Sequence, residues 1–114
     1  LGQGFIDRYS PKLIGVLGEQ NEKSILGKNA IFNTSCTIDH ECIIGDNVHI
    51  APGAVLAGNV IVQDGAFIGA NAVVKQGVKI GRNSIVGAGS VVLGNVEANQ
   101  VVVGNPARKI IRGK

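Results

Sequence analysis

The sequence predicts an all-β fold, a parallel β-helix of about four coils, and three observations lead to this prediction. An apolar residue recurs at every sixth position, a small or β-branched residue follows each of them four positions later, and Asn or Gly usually stands just before that small residue. Repeats of fixed length indicate stacked units that bury a continuous core. The 17 glycines and the absence of tryptophan fit short strands joined by tight turns.

The first and fifth positions of each six-residue unit, or hexad, predict the core. All twelve first positions are apolar: Leu26, Phe32, Ile38, Ile44, Ile50, Leu56, Val62, Ile68, Val74, Ile80, Val86 and Val92. All twelve fifth positions are small or β-branched: Ala30, Cys36, Cys42, Val48, Ala54, Val60, Ala66, Ala72, Val78, Ser84, Ser90 and Val96. A large and a small side chain at fixed places suit a narrow interior lined by short strands.

The fourth position predicts the corners, because ten of its twelve residues, from Asn29 to Asn95, are Asn or Gly and tolerate positive φ. Ser35 and Glu41 are the exceptions, and a local rule that fails often marks a functional site. Three hexads would close one triangular coil, so twelve give four. We therefore divide the chain into an N-terminal segment (residues 1–25), a β-helix (26–97) and a C-terminal cap with a basic tail (98–114).

Charge and hydropathy argue against nucleic-acid and membrane partners. The net charge is +3, but residues 1–97 hold seven Lys/Arg against eight Asp/Glu, and the excess comes from four cations after residue 97. A basic tail of this kind is either solvated or meets an anionic ligand. No apolar run approaches the roughly 20 residues of a membrane span, and the start does not resemble a secretion signal, so we expect a cytoplasmic protein.

Two histidines, His40 and His49, are the candidate general bases. Neither occupies a first or fifth position, so both are expected to point outwards. His40 lies between Asp39 and Glu41, and we assign Glu41 as the carboxylate that orients the imidazole and makes it more basic. His49 is nine residues on, half a coil, and so is expected on the opposite side of the prism. A groove between neighbouring prisms would unite the two, which predicts a homotrimer.

Zinc binding and a cysteine nucleophile are the competing chemistries. Cys36 and Cys42 fall at inward fifth positions whereas the histidines point out, so the four cannot converge on a tetrahedral metal. The γ-class carbonic anhydrases share this type of fold, but their paired histidines lie closer in sequence. We expect no metal, and we expect direct transfer rather than a covalent cysteine intermediate.

The stretch from Asn33 to Gly45, which contains Asp39-His40-Glu41, resembles the sugar O- and N-acetyltransferases related to sialic acid O-acetyltransferase and UDP-N-acetylbacillosamine N-acetyltransferase. The resemblance runs from about Leu26 to Ile110. It implies a left-handed β-helix and acetyl transfer from acetyl-CoA to a sugar or nucleotide sugar. It further implies that His40 is the base and that Glu41 increases its basicity. The other implied contacts are His49, Ala70 and Ala88 with acetyl-CoA, and Asn33 with the acceptor.

The ends of the chain carry further expectations from the same resemblance. The segment Val103–Arg108 looks like the ending common in these enzymes, near the nucleotide end of CoA. Residues 4–7 and 14–18 look like a remnant of a βαβ nucleotide-sugar domain, and with no methionine present we expect the given sequence to lack a segment. Whether the acceptor is an amine or a hydroxyl stays open, as does the alternative of a non-catalytic trimeric scaffold.

Overall fold

The computed structural model describes residues 5–7, 12–13 and 24–110, the first two stretches as backbone only. These residues contain β-strands and no helix. The strands are β1 (Phe5–Asp7), β2 (Lys12–Leu13), β3 (Ser24–Leu26), β4 (Ile31–Phe32), β5 (Thr37–Ile38), β6 (Ile43–Ile44), β7 (His49–Ile50), β8 (Val55–Leu56), β9 (Ile61–Val62), β10 (Phe67–Ile68), β11 (Val73–Val74), β12 (Lys79–Ile80), β13 (Ile85–Val86), β14 (Val91–Val92), β15 (Val101–Gly104) and β16 (Ala107–Lys109).

Every third strand pairs in parallel with the next, which produces three sheets that form the faces of a triangular prism. Face A has the order β1-β3-β6-β9-β12, face B the order β16-β15-β13-β10-β7-β4-β2, and face C the order β14-β11-β8-β5. Ile43 pairs with Ile61 and Phe67 with Ile85, both 18 residues apart. Three hexads therefore make one coil, and the predicted parallel β-helix of about four coils is confirmed.

The core is the column of first and fifth positions that the sequence predicted. The twelve first-position side chains are at most 2% exposed, and the twelve fifth-position side chains are at most 7% exposed. Two of the fifth positions are serines whose hydroxyls have backbone partners. Ser84 Oγ donates to the Glu97 carbonyl at 2.6 Å, and Ser90 Oγ accepts from the Gly104 amide at 3.1 Å. Such partners offset the free energy lost when a hydroxyl is buried.

Eleven of the twelve fourth positions take the left-handed backbone conformation, including Ser35 (φ 58°) and Glu41 (φ 59°). Residues other than glycine and asparagine reach this region at a cost of roughly 1–2 kcal/mol. Asn95 does not adopt it, so our expectation of a twelfth regular corner is wrong. Its Oδ1 instead accepts from the Lys79 amide at 2.8 Å.

The last coil is two residues shorter than the others, which explains the exception at Asn95. Val96 pairs with Ile80, and Val101 pairs with Ile85, in both cases 16 residues apart. The missing corner is replaced by Asn99, whose φ is 61°. After β15 the chain reverses, and β16 pairs with it antiparallel as the last strand of face B.

The prism extends beyond the predicted limits at both ends. Strands β1 and β2 pair in parallel with β3 and β4, so part of the N-terminal segment adds to faces A and B. At the other end, β15 continues face B past residue 97. The predicted nucleotide-sugar-domain remnant is not tested by this pairing, and residues 14–18, on which it also rests, lie outside the described residues.

A matched pair of isoleucines tests the assignment of the core. Ile44 is fully buried and its neighbour Ile43 is 41% exposed on the same strand. We expect Ile44→Ala to lower the free energy of unfolding by about 2–5 kcal/mol, because it leaves a cavity. Ile43→Ala should change it by only about 0.5 kcal/mol. Urea unfolding followed by circular dichroism measures both, and equal losses would contradict the inward and outward assignment.

Candidate functional site

His40 lies at the corner where face C gives way to face A. Strand β5 ends at Ile38 and β6 begins at Ile43, so residues 39–42 form the turn. Glu41 supplies the left-handed residue of this turn. The His40 carbonyl accepts from the Asn59 amide of the next coil at 2.9 Å, which ties the corner to the stack. The imidazole is thus carried on a braced turn rather than on a long loop.

The carboxylate that contacts the imidazole is Asp39. Its Oδ1 lies 3.1 Å from His40 Nδ1 and also accepts from the His40 backbone amide at 2.7 Å. Both side chains remain about half exposed, at 45% for His40 and 46% for Asp39. When Nδ1 carries the proton that it donates to Asp39, Nε2 keeps its lone pair. This is the form that a general base requires.

The structure differs from the sequence expectation in the partner of His40. Glu41 is exposed, and within residues 24–110 no hydrogen bond or ion pair joins it to His40. The physical reason is the turn, because the left-handed residue supplies the bend whereas Asp39 precedes it and bonds back to the next amide. An effect of Glu41 on the basicity of His40 stays a prediction.

Gly58, one coil beyond His40, lies directly against the imidazole. A Cβ built on Gly58 would be 2.5 Å from His40 Cε1 and 2.7 Å from Nε2, closer than non-bonded atoms approach. The imidazole therefore occupies the space that a side chain at residue 58 would need. The 18-residue coil length would have revealed this neighbour from the sequence.

Ser24 supports the same turn from the coil before it. Its buried hydroxyl donates to the Asp39 carbonyl at 3.0 Å and accepts from the Cys42 amide at 3.2 Å. The hydroxyl thus bridges the two ends of the turn that carries His40. Sequence analysis missed this serine because it precedes the first hexad that was counted.

The two cysteines are core residues, as predicted. Cys36 and Cys42 are fully buried and unpaired with each other. Cys42 Sγ donates to the Ala57 carbonyl at 3.2 Å. Burial raises the pKa of the Cys42 thiol, and the nearby charge of Asp39 raises that pKa further, against smaller opposing effects of backbone hydrogen bonds. A protonated, buried thiol is a poor nucleophile.

The remaining predicted residues lie on a different part of the prism. His49 is on β7 in face B, where its ring lies 4.9 Å from that of Phe67. Asn33, Ala70 and Ala88 follow strands of face B and line the corner between faces B and C. Ala70 is partly exposed and Ala88 exposed. Within one chain, the structure therefore separates the His40 corner from the predicted acetyl-CoA contacts, as the nine-residue spacing indicated.

Exposed apolar and basic side chains continue along face B. Phe67 and Ile85 are 38% and 43% exposed on its outer surface. Arg108 pairs with Val103 at the edge of this face, and residues directly opposite in an antiparallel pair share one side of the sheet. Because Val103 is exposed, Arg108 shares the outer surface with His49. A cation thus lies at one end of the surface that carries the predicted contacts.

Two searches of the described residues concern the other partner classes. In residues 24–110, no three His, Cys, Asp or Glu side chains come together in a way that could hold a metal ion. The described part of the chain also contains no helix long and apolar enough to cross a membrane.

The chain matches the model of the bacterial transferase hexapeptide (six repeats) family over residues 23–58 and 59–94. A histidine-to-asparagine variant of perosamine N-acetyltransferase from Caulobacter crescentus, solved with CoA and GDP-perosamine, is similar at 34% identity and a TM-score of 0.82, over 96% of this chain and 54% of that one. WeeI from Acinetobacter baumannii AYE is similar at 34% identity and a TM-score of 0.68, over 93% and 54%.

The acetyltransferase domain of PglB from Neisseria gonorrhoeae FA1090, solved with acetyl coenzyme A, has 26% identity and a TM-score of 0.67 over 93% of this chain and 57% of that one. The prism is accordingly the left-handed β-helix of hexapeptide-repeat proteins. The chain spans about half the length of each of these three proteins.

The protonated state of Cys42 makes stability depend on alkaline pH. The folded state holds the thiol protonated, whereas the unfolded chain ionises it near pH 8.5. We therefore expect the free energy of unfolding to fall as pH rises through about 8.5, and Cys42→Ala to remove part of that fall. Urea unfolding at pH 7 and pH 9.5 measures it, with Cys36→Ala for comparison. An identical pH dependence with and without Cys42 would contradict this.

Proposed function

We propose that this chain, which belongs to the bacterial transferase hexapeptide (six repeats) family, is the acetyl-transferring part of an acetyl-CoA-dependent sugar acetyltransferase. The acceptor group is an amine or a hydroxyl of a sugar, free or linked to a nucleotide. The similar proteins support this proposal, since one was solved with CoA and GDP-perosamine and another with acetyl coenzyme A. The chain covers only about half of each, so the activity is proposed for the protein that contains it.

The observation that carries the proposal is the presentation of His40. Its imidazole is half exposed at a corner, and a carboxylate oxygen lies 3.1 Å from Nδ1. This arrangement leaves Nε2 as the acceptor of a proton from the incoming amine or hydroxyl. A histidine that is only a solvated surface residue needs neither a carboxylate partner nor a glycine in the next coil.

The residues of the chain have the following roles in the proposed reaction. His40 takes the proton of the acceptor amine or hydroxyl as that group forms its new bond to the acetyl carbonyl carbon. His40 then returns the proton to the sulfur as the carbon–sulfur bond breaks. Acetyl-CoA supplies the activated acetyl group. Because both cysteines are buried, the acetyl group passes directly to the sugar rather than through the protein.

Face B and its corner with face C fit acetyl-CoA. Ala88 and Gly89 are exposed, and a Cβ built on Gly89 would meet no atom within 4 Å, so the backbone there is open to close approach. His49, Ala70 and Ala88 would hold the pantetheine arm along this ridge. Arg108 provides a cation for phosphate groups at the end of the same face.

The separation of His40 from this surface is the reason to propose a homotrimer. The corner between faces A and C lies opposite face B in one prism. A groove between two parallel prisms would bring His40 of one chain to the acetyl-CoA surface of the next, and Asn33 would contact the acceptor there. Three chains around one axis make three identical grooves. Exposed Ile61, Phe67 and Ile85 give the faces apolar area for such contacts.

Replacing His40 tests the proposed function. We expect His40→Ala to reduce turnover by about 10² to 10⁴ while acetyl-CoA affinity stays close to that of the wild type, because the base is lost and the binding surface is not. Release of CoA measures turnover with amino sugars, sialic acids and their nucleotide derivatives, and calorimetry measures affinity.

His49→Ala is the matched control and should weaken acetyl-CoA binding instead. Near-normal turnover of His40→Ala would refute the assignment of the base. Absence of any acetyl-CoA binding by the wild type would favour a non-catalytic scaffold. Stoichiometric zinc in the purified protein would favour a metalloenzyme.

A further inference from the structure

We propose that Asp39 and Gly58 are the positioning residues of His40: Asp39 selects the tautomer of the imidazole, and Gly58 provides the space in which the ring lies. The catalytic consequence rests on the proposed function, but the placement of the ring does not. Sequence reasoning gave the first of these roles to Glu41 and gave Gly58 no role.

Asp39 is held firmly enough to act as a fixed acceptor. Its backbone amide donates to the Leu56 carbonyl at 2.9 Å, and its own carbonyl accepts from Ser24 Oγ. Its Oδ1 is fixed by the His40 amide at 2.7 Å and lies 3.1 Å from Nδ1. An acceptor held from both sides favours the tautomer with the proton on Nδ1. The unprotonated Nε2 is then available at every encounter with an acceptor group.

Gly58 is required for space and not for backbone conformation. Its φ lies outside the left-handed region, so alanine could adopt the same backbone. A Cβ there would nevertheless lie 2.5–3.0 Å from three atoms of the imidazole ring. The ring therefore rests on the bare backbone of the next coil. An alanine would displace the ring and move Nε2.

Gly94 provides an internal comparison at the same corner. It stands 36 residues, or two coils, beyond Gly58, and its φ is likewise outside the left-handed region. A Cβ built on Gly94 would meet no atom within 4 Å. The two glycines thus differ in whether a neighbour occupies the space of the missing side chain. The demand at Gly58 comes from His40 and not from the coil.

Nitrogen NMR of the imidazoles tests the proposal without any reaction, because the shifts of the two ring nitrogens report the tautomer. The chain has only two histidines, and the His49→Ala spectrum assigns the signals. We expect wild-type His40 at neutral pH to carry its proton on Nδ1. Asp39→Ala should give a mixture of tautomers, whereas Asp39→Asn, which keeps an acceptor oxygen, should restore much of the wild-type pattern. Glu41→Gln should leave the tautomer unchanged.

Turnover gives the second measurement. We expect Gly58→Ala to lower kcat roughly 10²-fold with little change in the KM for acetyl-CoA, because a displaced base misses the acceptor. Gly94→Ala, the matched control, should behave as the wild type. Circular dichroism and urea unfolding show whether each variant is folded, and the imidazole shifts of Gly58→Ala report the displacement even where turnover is too low to measure.

The proposal is overturned if Asp39→Ala keeps the wild-type tautomer, or if Gly58→Ala shifts the His40 signals no more than Gly94→Ala does. Failure of the proposed function looks different. In that case His40→Ala would retain turnover while Asp39→Ala still changed the tautomer. The two results therefore separate the position of the ring from its use as a base.

Discussion

The stacking of coils at a spacing of 18 residues is the constraint on which the rest of the structure depends. Each short strand finds its backbone partners in the coils before and after it, as when Ile43 N donates to the Val60 carbonyl at 2.9 Å. Strands of two residues have no stability alone. The buried first and fifth positions hold these strands in register, because a slip by one residue would turn the apolar side chains outwards.

The same spacing assembles the candidate site. Residues that are 18 apart in sequence are neighbours in space, so Ser24 braces the turn at Cys42, Gly58 lies against His40, and Phe67 contacts His49. The site therefore rests on side chains from three successive coils. Its geometry is as rigid as the stack, which suits a base that must be ready before the substrate arrives.

Much of the fold could be predicted because the hexad ties each side chain to a direction. Phe32 and Ile68 are buried for the same reason, and the sequence pattern is sufficient to show it. The shortened last coil could not be predicted, because Asn95 is a suitable corner residue in its own right. The change depends on how the final strand meets Ile80 and on the reversal at β16, which involve contacts between distant residues.

The site was predictable in its residues but not in its pairings. The pattern placed His40 and His49 on opposite sides of the prism, and the structure has them there. It could not choose between the carboxylates on either side of His40, because both are adjacent in sequence. The turn decides: Glu41 takes the left-handed conformation, and Asp39 bonds back to the His40 amide. Gly58 was accessible to sequence reasoning, since it stands one coil after His40.

The central claim is that the site is shared between two prisms, and complementation tests it most directly. His40→Ala chains lack the base, and Ala88→Trp chains carry a large side chain at an exposed position of the proposed acetyl-CoA surface. After equal mixing by unfolding and refolding together, about one groove in four should combine an intact base with an intact surface, since each is present in half of the chains. The account predicts recovery of about a quarter of wild-type turnover from two inactive parents. Turnover that stays at the level of the parents would contradict it.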